Sequence, residues 1–236
     1  MSEANASSPS TRVGTITCRC GEVTIALPNP VPKFRCGCCC TDCLQRAYIG
    51  ANGEPTAAIK NLEEAVDLLY VDSQIMRPGR ETLARLSVFR LNKEDALNIN
   101  LRAECCGSVL CTENEKFHVP HSMATFNNLR PSVYCDFAAV PEPNCYVWTG
   151  DWPEERAEAL ARREKSTKGE ALPQIVDVMA ALTEKPIIEI ASALQLPAPT
   201  KAAGAISFAE LCAGMEVKIE HAYFQESRAH KVARKA

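Results

Sequence analysis

The distribution of cysteines constrains this chain more than any other feature of its sequence. The chain has 13 cysteines in 236 residues, and seven of them lie between residues 18 and 43. Closely spaced sets are Cys18-x-Cys20, the run Cys36-x-Cys38-Cys39-Cys40-x-x-Cys43, and the adjacent pair Cys105-Cys106. Short spacers let two or three thiolates converge on one ion from a tight turn, and zinc is the ion most often bound that way. The sets therefore predict metal sites.

A secreted, disulfide-linked domain is the other explanation for so many cysteines. Such domains are short and follow an apolar signal sequence, whereas this chain is long and its first residues are small and polar. We therefore expect a protein that is not secreted and works in the cytoplasm or another reducing intracellular compartment. No apolar run approaches the roughly 20 residues of a membrane-spanning helix. The net charge of −3 argues against a nucleic-acid partner.

Short β-strands are predicted around the cysteine sets. Val23, Ile25 and Leu27 alternate with more polar residues, which is typical of a half-buried strand. Similar runs predict strands over 83–91, 99–101, 132–137 and 145–148. Each cysteine set then lies at a strand end or a turn, where thiolates can curl inward without interrupting a sheet.

The pattern changes to a helical one at Asp151, where an Asp-x-Pro-Glu sequence favours a helix start. Apolar faces follow, the first of them containing Ile175, and the Ser207 to Glu210 segment predicts a capping box. We expect three parts: a flexible leader over 1–13, a zinc domain over 14–150, and a helical extension over 151–236. The narrow apolar faces of the extension suggest docking to a protein partner, or assembly into an oligomer or complex.

The cysteine motifs resemble those of one known family. Cys18-Arg19-Cys20-Gly21-Glu22-Val23, then Cys38-Cys39-Cys40-Thr41-Asp42-Cys43, then Cys105-Cys106-Gly107-Ser108-Val109-Leu110 are similar to the family of the glutathione-dependent formaldehyde-activating enzyme and centromere protein V. The likeness spans roughly residues 14–150. The third motif departs from the family pattern, because Ala103 stands where the family has the first cysteine of C-x-x-C.

The resemblance implies an α+β protein with the Mss4-like fold, in which zinc-bound β-sheets form a β-tent, here with a helical C-terminal extension. It implies two zinc ions: a structural one held by Cys18, Cys20 and the Cys105/Cys106 element, and a second one held by Cys38, Cys40 and Cys43. A closed site needs four ligands, whereas three cysteines leave one coordination position for a substrate. Cys111 is the alternative to Cys105 in the first site. Cys36 or Cys39 could close the second site as a fourth ligand, which would make that site structural only.

Two functions follow from these expectations. The first is an enzyme, a zinc-dependent carbon–sulfur lyase or synthase that joins a small thiol such as glutathione to an aldehyde such as formaldehyde. Its candidate bases are Asp42, His118 and His121, and its candidate cationic residues for a glutathione pocket are Arg46, Arg102 and Arg130. The second is a non-catalytic, zinc-stabilised scaffold or subunit that binds partners through residues 151–236.

Overall fold

Strands form most of the architecture. A computed structural model describes residues 14–32, 34–50, 65–93, 98–113, 121–126, 133–136, 145–147, 174–175 and 200–222. The strands in these ranges are β1 (Gly14–Cys18), β2 (Thr24–Leu27), β3 (Phe34–Cys38), β4 (Val66–Asp72), β5 (Gln74–Met76), β6 (Leu86–Leu91), β7 (Ile99–Ala103), β8 (Val109–Glu113), β9 (Ser122–Phe126), β10 (Val133–Asp136), β11 (Cys145–Val147), β12 (Gln174–Ile175), β13 (Ala205–Ser207) and β14 (Val217–Glu220). The helices are α1 (Thr41–Gly50), α2 (Arg80–Leu83) and α3 (Phe208–Ala213).

The strands of these ranges pair into three sheets. The largest is a mixed sheet of nine strands in the order β12-β11-β3-β4-β9-β8-β7-β6-β14. Its centre is antiparallel, while β11 runs parallel to β3 and β14 runs parallel to β6. A sheet of three strands has the order β10-β1-β2, and β13 pairs with β5. A mainly β protein with few helices agrees with the predicted α+β class, and the Mss4-like fold itself stays a prediction.

The central strands are buried on both faces. All five residues of β9 are buried, as are four of the five residues of β8. Buried polar residues such as Thr112, Ser122 and Thr125 interrupt the apolar positions of β8 and β9, so these strands show neither alternation nor a continuous apolar run, and the sequence analysis missed them together with β4. The strand containing Ile25 is half-buried and was predicted correctly. Alternation of apolar and polar residues therefore predicted a strand of the smaller sheet, whereas the fully buried strands at the centre of the larger sheet lack that pattern.

Two local predictions need correction. Leu83 was assigned to a strand, but it ends helix α2 and the strand begins at Leu86. Helix α1 was not predicted at all. Its sequence carries an acidic residue, Asp42, in the first turn and ends at Gly50, and both are ordinary signals of helix boundaries. None of the helices in the described ranges combines the length and the hydropathy needed to cross a bilayer.

The prediction that the chain is helical from residue 151 onward is wrong for β12, β13 and β14, whereas α3 is a helix as predicted. Ile175 lies in β12, which pairs with β11. Strand β13 pairs with β5, and β14 adds a parallel strand beside β6. These residues therefore extend the sheets, because each supplies backbone donors and acceptors to a strand edge. The parts of the predicted helical extension over 151–173 and 176–199 and the leader over 1–13 lie outside the described residues, and the domain boundaries stay predictions.

The capping box at the start of α3 is confirmed. The Ser207 hydroxyl accepts a hydrogen bond from the Glu210 amide at 3.0 Å, and the Glu210 carboxylate accepts one from the Ser207 amide at 2.7 Å. Behind this cap, Phe208 and Leu211 are buried in the core. The box therefore fixes the direction in which a short helix leaves β13.

We expect Ser207→Ala to lower the free energy of unfolding by about 1 kcal/mol, because the N-terminal amides of α3 lose an acceptor. Urea unfolding followed by circular dichroism measures this. Ser207→Thr retains the hydroxyl and serves as the control. An equal loss in both variants would contradict a role for the capping hydrogen bond.

Candidate metal centres

Four cysteines from two distant turns form the first cluster. The Sγ atoms of Cys18, Cys20, Cys105 and Cys106 all lie within 4.8 Å of one another. Cys18 is 3.5 Å from Cys20 and 3.7 Å from Cys105, and Cys20 is 3.3 Å from Cys105. Cys18 and Cys106 are buried while Cys20 and Cys105 are exposed. The cluster therefore lies at the surface, with its inner half in the core.

Each turn of the first cluster is closed by a glycine in a left-handed conformation. Gly21 has φ +83° and Gly107 has φ +74°. The Gly21 amide donates to the Cys18 carbonyl at 2.9 Å, and the Gly107 amide donates to the Ala103 carbonyl at 2.8 Å. L-residues with a side chain rarely adopt such φ values, so glycine permits these tight turns. Because the turn after β7 is tight, the sulfur atoms of the adjacent residues Cys105 and Cys106 can both belong to the first cluster.

Hydrogen bonds join the two turns directly. The hydroxyl of the buried Ser108 accepts from the Arg19 amide and lies 3.1 Å from Cys106 Sγ. The Arg19 guanidinium donates to the Cys106 carbonyl at 3.1 Å. These contacts hold the two turns against each other.

The thiols of the first cluster differ in acidity. Burial of the sulfur atom, which alone would raise the pKa of Cys106, is outweighed by hydrogen bonds from Ser108 and from Cys20, so that this pKa falls to about 6. Partial burial and contact with neighbouring thiols raise the pKa of Cys105, and burial raises that of Cys18. The cluster thus holds one thiolate near neutral pH beside thiols that need a cation to ionise.

Three cysteines form the second cluster, where β3 meets α1. The Sγ atoms of Cys38, Cys40 and Cys43 lie within 4.8 Å of one another, and Cys38 is 3.4 Å from Cys40. All three residues are buried, each with at most 5% of its surface exposed. Cys38 is the last residue of β3, Cys40 directly precedes α1, and Cys43 lies in its first turn.

The N-terminus of α1 directs its amides toward this second cluster. The Cys43 amide donates to Cys40 Sγ at 3.3 Å, and the Leu44 amide donates to the Cys40 carbonyl at 3.2 Å. Cys40 thus fills the position of a helix cap, with sulfur as the acceptor. The positive end of the helix dipole favours negative charge at this sulfur atom.

A buried arginine contacts the second cluster. Arg46 is only 2% exposed, and its Nη2 donates to Cys43 Sγ at 2.9 Å. Hydrogen bonds from Cys38 and Cys40, together with the charge of Arg46, hold the pKa of Cys43 well below that of an ordinary thiol. Hydrogen bonds with Cys40 and Cys43, together with burial, raise the pKa of Cys38 well above that of an ordinary thiol. The pKa of Cys40 is also raised well above it, because the hydrogen bond with Cys43 and burial outweigh the lowering effect of the hydrogen bond with Cys38. Cys43 is therefore the thiol of this cluster that ionises most readily.

An ion pair lies beside the cluster. Lys93 Nζ is 2.7 Å from Asp42 Oδ1, and the two side chains are only 1% and 8% exposed. Gln45 donates to the same oxygen at 3.1 Å. Asp42, the predicted base, is therefore held in place by two donors one residue before Cys43. Burial and the nearby cysteines also raise the pKa of Tyr70 well above its usual value, so this phenol stays neutral.

The sulfur geometry of both clusters fits a tetrahedral ion. A zinc–sulfur distance of about 2.3 Å places neighbouring sulfur atoms of a tetrahedron about 3.8 Å apart. The Sγ distances of 3.3 to 3.7 Å that are given above are close to this value. Both clusters could hold a metal ion, and the all-sulfur ligand sets suit zinc better than calcium or magnesium.

The structure brings together every cysteine that the resemblance assigned to a zinc site. Both Cys105 and Cys106 belong to the first cluster, whereas the alternative, Cys111, lies in β8 outside it. Neither Cys36 nor Cys39 belongs to the second cluster, and among the described residues no fourth His, Cys, Asp or Glu joins its three cysteines.

The other candidates have different outcomes. His121 is an exposed residue with φ 56° and belongs to neither cluster. Arg102 was a candidate for a glutathione pocket, but it forms a salt bridge with Glu220, in which Nη1 lies 2.6 Å from Oε1. Its guanidinium also lies over the ring of Phe89. His118 and Arg130 lie outside the described residues. Among the candidates within the described residues, Arg46 contacts the second cluster and Asp42 directly precedes Cys43.

The sequence analysis missed two contributors. Lys93 reaches Asp42 across 51 positions of the chain, and no local pattern signals such a contact. Ser108 was noted only as part of a motif, although its hydroxyl links the two turns of the first cluster. The contact of Arg46 with Cys43 had a signal, because residues three apart on a helix are neighbours.

Comparisons with known proteins found no similarity: no protein-family model, no curated protein and no solved structure matches the chain. The family resemblance proposed from the sequence therefore rests on the cysteine motifs and on the two clusters that these cysteines form.

We expect the purified chain to bind two zinc ions and Cys38→Ser to bind one, because an ion with only two remaining cysteines in its site is held far more weakly. Metal analysis by mass spectrometry measures the stoichiometry. Cys111→Ser is the matched control, since it removes a buried cysteine outside both clusters and should retain two ions. Equal stoichiometry in all three proteins would contradict the assignment.

Metal binding at the second cluster should release about two protons near neutral pH. Cys38 and Cys40 have raised pKa values and must deprotonate on binding, whereas Cys43 is already a thiolate. Affinity therefore rises as the pH rises toward the pKa values of the two protonated thiols.

Titration calorimetry in buffers of different ionisation enthalpy counts these protons. Subtracting the value for Cys38→Ser leaves the contribution of the second cluster. A difference of zero protons between the two proteins would refute the prediction.

Proposed function

We propose that this chain is a zinc protein with two sites of different kinds, one structural and one open to an external ligand. The observation that supports this most is the convergence of seven cysteines from three parts of the chain into two groups with sulfur atoms at tetrahedral spacing. Thiols in a reducing compartment have no covalent reason to gather in this way. Zinc supplies that reason, because it binds thiolates and offsets their mutual repulsion.

The first cluster is the structural site in this proposal. Its four cysteines complete a tetrahedral shell, and they join the turn between β1 and β2 to the turn between β7 and β8. Because such a site does not exist in the unfolded chain, zinc binding there adds to the stability of the fold by up to about 10 kcal/mol.

The second cluster is the open site. Three cysteines bind the ion, and a fourth ligand comes from outside the group described above. The family resemblance identifies that ligand as the thiol of a small molecule such as glutathione. Bound zinc would supply a positive charge that stabilises the thiolate of the substrate at neutral pH.

The proposed reaction forms one carbon–sulfur bond and needs no oxidant. The thiolate sulfur of the substrate adds to the carbonyl carbon of formaldehyde, and the carbonyl electron pair becomes an alkoxide that takes up a proton. The product is S-(hydroxymethyl)glutathione, and the lyase direction reverses these steps. Asp42 is the nearest candidate to exchange that proton, since it lies beside Cys43 and is held by Lys93 and Gln45.

A scaffold without catalytic activity is the second candidate, and the burial of the second cluster favours it. Cys38, Cys40 and Cys43 are almost fully covered, as are Gln45 and Arg46 around them. A small thiol needs a path to the ion, whereas a structural ion does not. In this alternative both ions stabilise the fold, and residues 151–236 contact a protein partner.

We expect the zinc-loaded protein to accelerate the exchange between free glutathione and its formaldehyde adduct. Two-dimensional exchange NMR measures the rate without a coupled assay. Cys43→Ser should return the rate to that of the uncatalysed reaction, and Cys111→Ser should not change it. Exchange at the uncatalysed rate by a protein that holds two zinc ions would instead support the scaffold.

A further inference from the structure

The charges around the second cluster balance when its three cysteines bind a divalent ion as thiolates. Three thiolates and one divalent ion carry a net charge of minus one, and the guanidinium of Arg46 cancels it. Asp42 and Lys93 cancel each other, with their charged atoms 2.7 Å apart. A buried site with no net charge avoids the desolvation cost that an unpaired charge would bring.

Arg46 is placed to act on one ligand rather than only on the overall charge. It lies one helical turn after Cys43 on α1, and its Nη2 donates to the Cys43 sulfur at 2.9 Å. An N–H donor on a metal-bound thiolate reduces the electron density that the sulfur gives to the metal. The contact also orients the sulfur atom, because the guanidinium is rigid and is itself only 2% exposed.

We propose that Arg46 is the positioning residue of the second cluster: its charge and its hydrogen bond to Cys43 make three buried thiolates a neutral host for one divalent ion, and thereby determine the affinity of the site. This inference rests on the proposed function, since it takes the cluster to be a metal site. It goes beyond the family resemblance, which assigned no role at the ion to a residue outside the cysteine motif.

Arg46→Met tests the proposal, because it keeps most of the side-chain volume and removes both the charge and the donor. We expect the dissociation constant of the second cluster for zinc to rise by about 10-fold to 100-fold, while that of the first cluster is unchanged. Competition with a chromophoric chelator measures both constants on the full chain.

Arg35→Met is the matched control. Arg35 is also a largely buried arginine, and it pairs with Asp67 through two hydrogen bonds of 2.9 and 2.8 Å. Arg35 and the cluster residue Cys38 both lie on β3. Because residues at odd and even positions of a strand face opposite sides of the sheet, Arg35 faces away from the side of Cys38. Its loss should reduce stability and leave both metal affinities as they are in the unsubstituted chain.

Cobalt absorption supplies a readout that a merely structural role would not change. The sulfur-to-cobalt charge-transfer band of the second cluster is obtained by subtracting the spectrum of Cys38→Ser. Without the N–H donor, the Cys43 thiolate gives up electron density more readily, so this band should move to longer wavelength in Arg46→Met. It should stay in place in Arg35→Met.

Arg46→Lys separates charge from hydrogen bonding and keeps the test decisive if the methionine variant does not fold. Lysine retains the positive charge but lacks the planar guanidinium group. The dissociation constant of the second cluster for zinc should therefore rise less than 10-fold in this variant, while the charge-transfer band still moves to longer wavelength. A lysine variant as weak as the methionine variant would overturn the role of charge.

The outcomes separate this proposal from the proposed function. If the unsubstituted chain binds two ions but both Arg46 variants match it in affinity and spectrum, the inference about Arg46 is wrong and the zinc protein stands. If the unsubstituted chain binds no ion at Cys38, Cys40 and Cys43, both are overturned.

Discussion

Repulsion between thiolates is the constraint on which this structure depends. Two unit negative charges about 4 Å apart repel each other by about 4 kcal/mol near a protein surface, and more strongly in the interior. The sulfur atoms within each cluster all lie within 4.8 Å of one another, and several pairs are only 3.3 to 3.7 Å apart. The chain can keep them there only with most of the thiols protonated or with cations among the sulfur atoms. Zinc binding at the two clusters, as proposed, would therefore be coupled to folding.

The two clusters meet this constraint in different surroundings. The first is partly exposed, so water screens its charges, and two glycine turns joined by Ser108 and Arg19 provide the geometry. The second is buried, so its charges must be balanced locally by Arg46 and by the N-terminus of α1, while Lys93 and Asp42 beside it cancel each other. This difference in environment is the physical basis for assigning the two sites different roles, although burial also limits access to the second.

The site was predictable from the sequence to the extent that its ligands are close together in the chain. Cys38, Cys40 and Cys43 are local neighbours, and the capping box at Ser207 is a short motif, so both were predicted. The central strands could not be predicted well, because burial on both faces removes the alternation that marks a strand such as the one containing Ile25. The helices expected after residue 151 are partly replaced by strands, since pairing with β5, β6 and β11 outweighs the local helical pattern.

The sequence alone determined which residues can bind metal, because the spacing of cysteines limits the geometry that a turn can offer. It also determined the positions of the two glycines that end the turns of the first cluster. Only the tertiary structure decided that Cys105 rather than Cys111 joins Cys18, that Cys36 and Cys39 stay apart from the second cluster, and that Lys93 reaches Asp42. These outcomes depend on strand register and on contacts between distant segments. Such contacts are set by the packing of the whole sheet, which no short stretch of sequence contains.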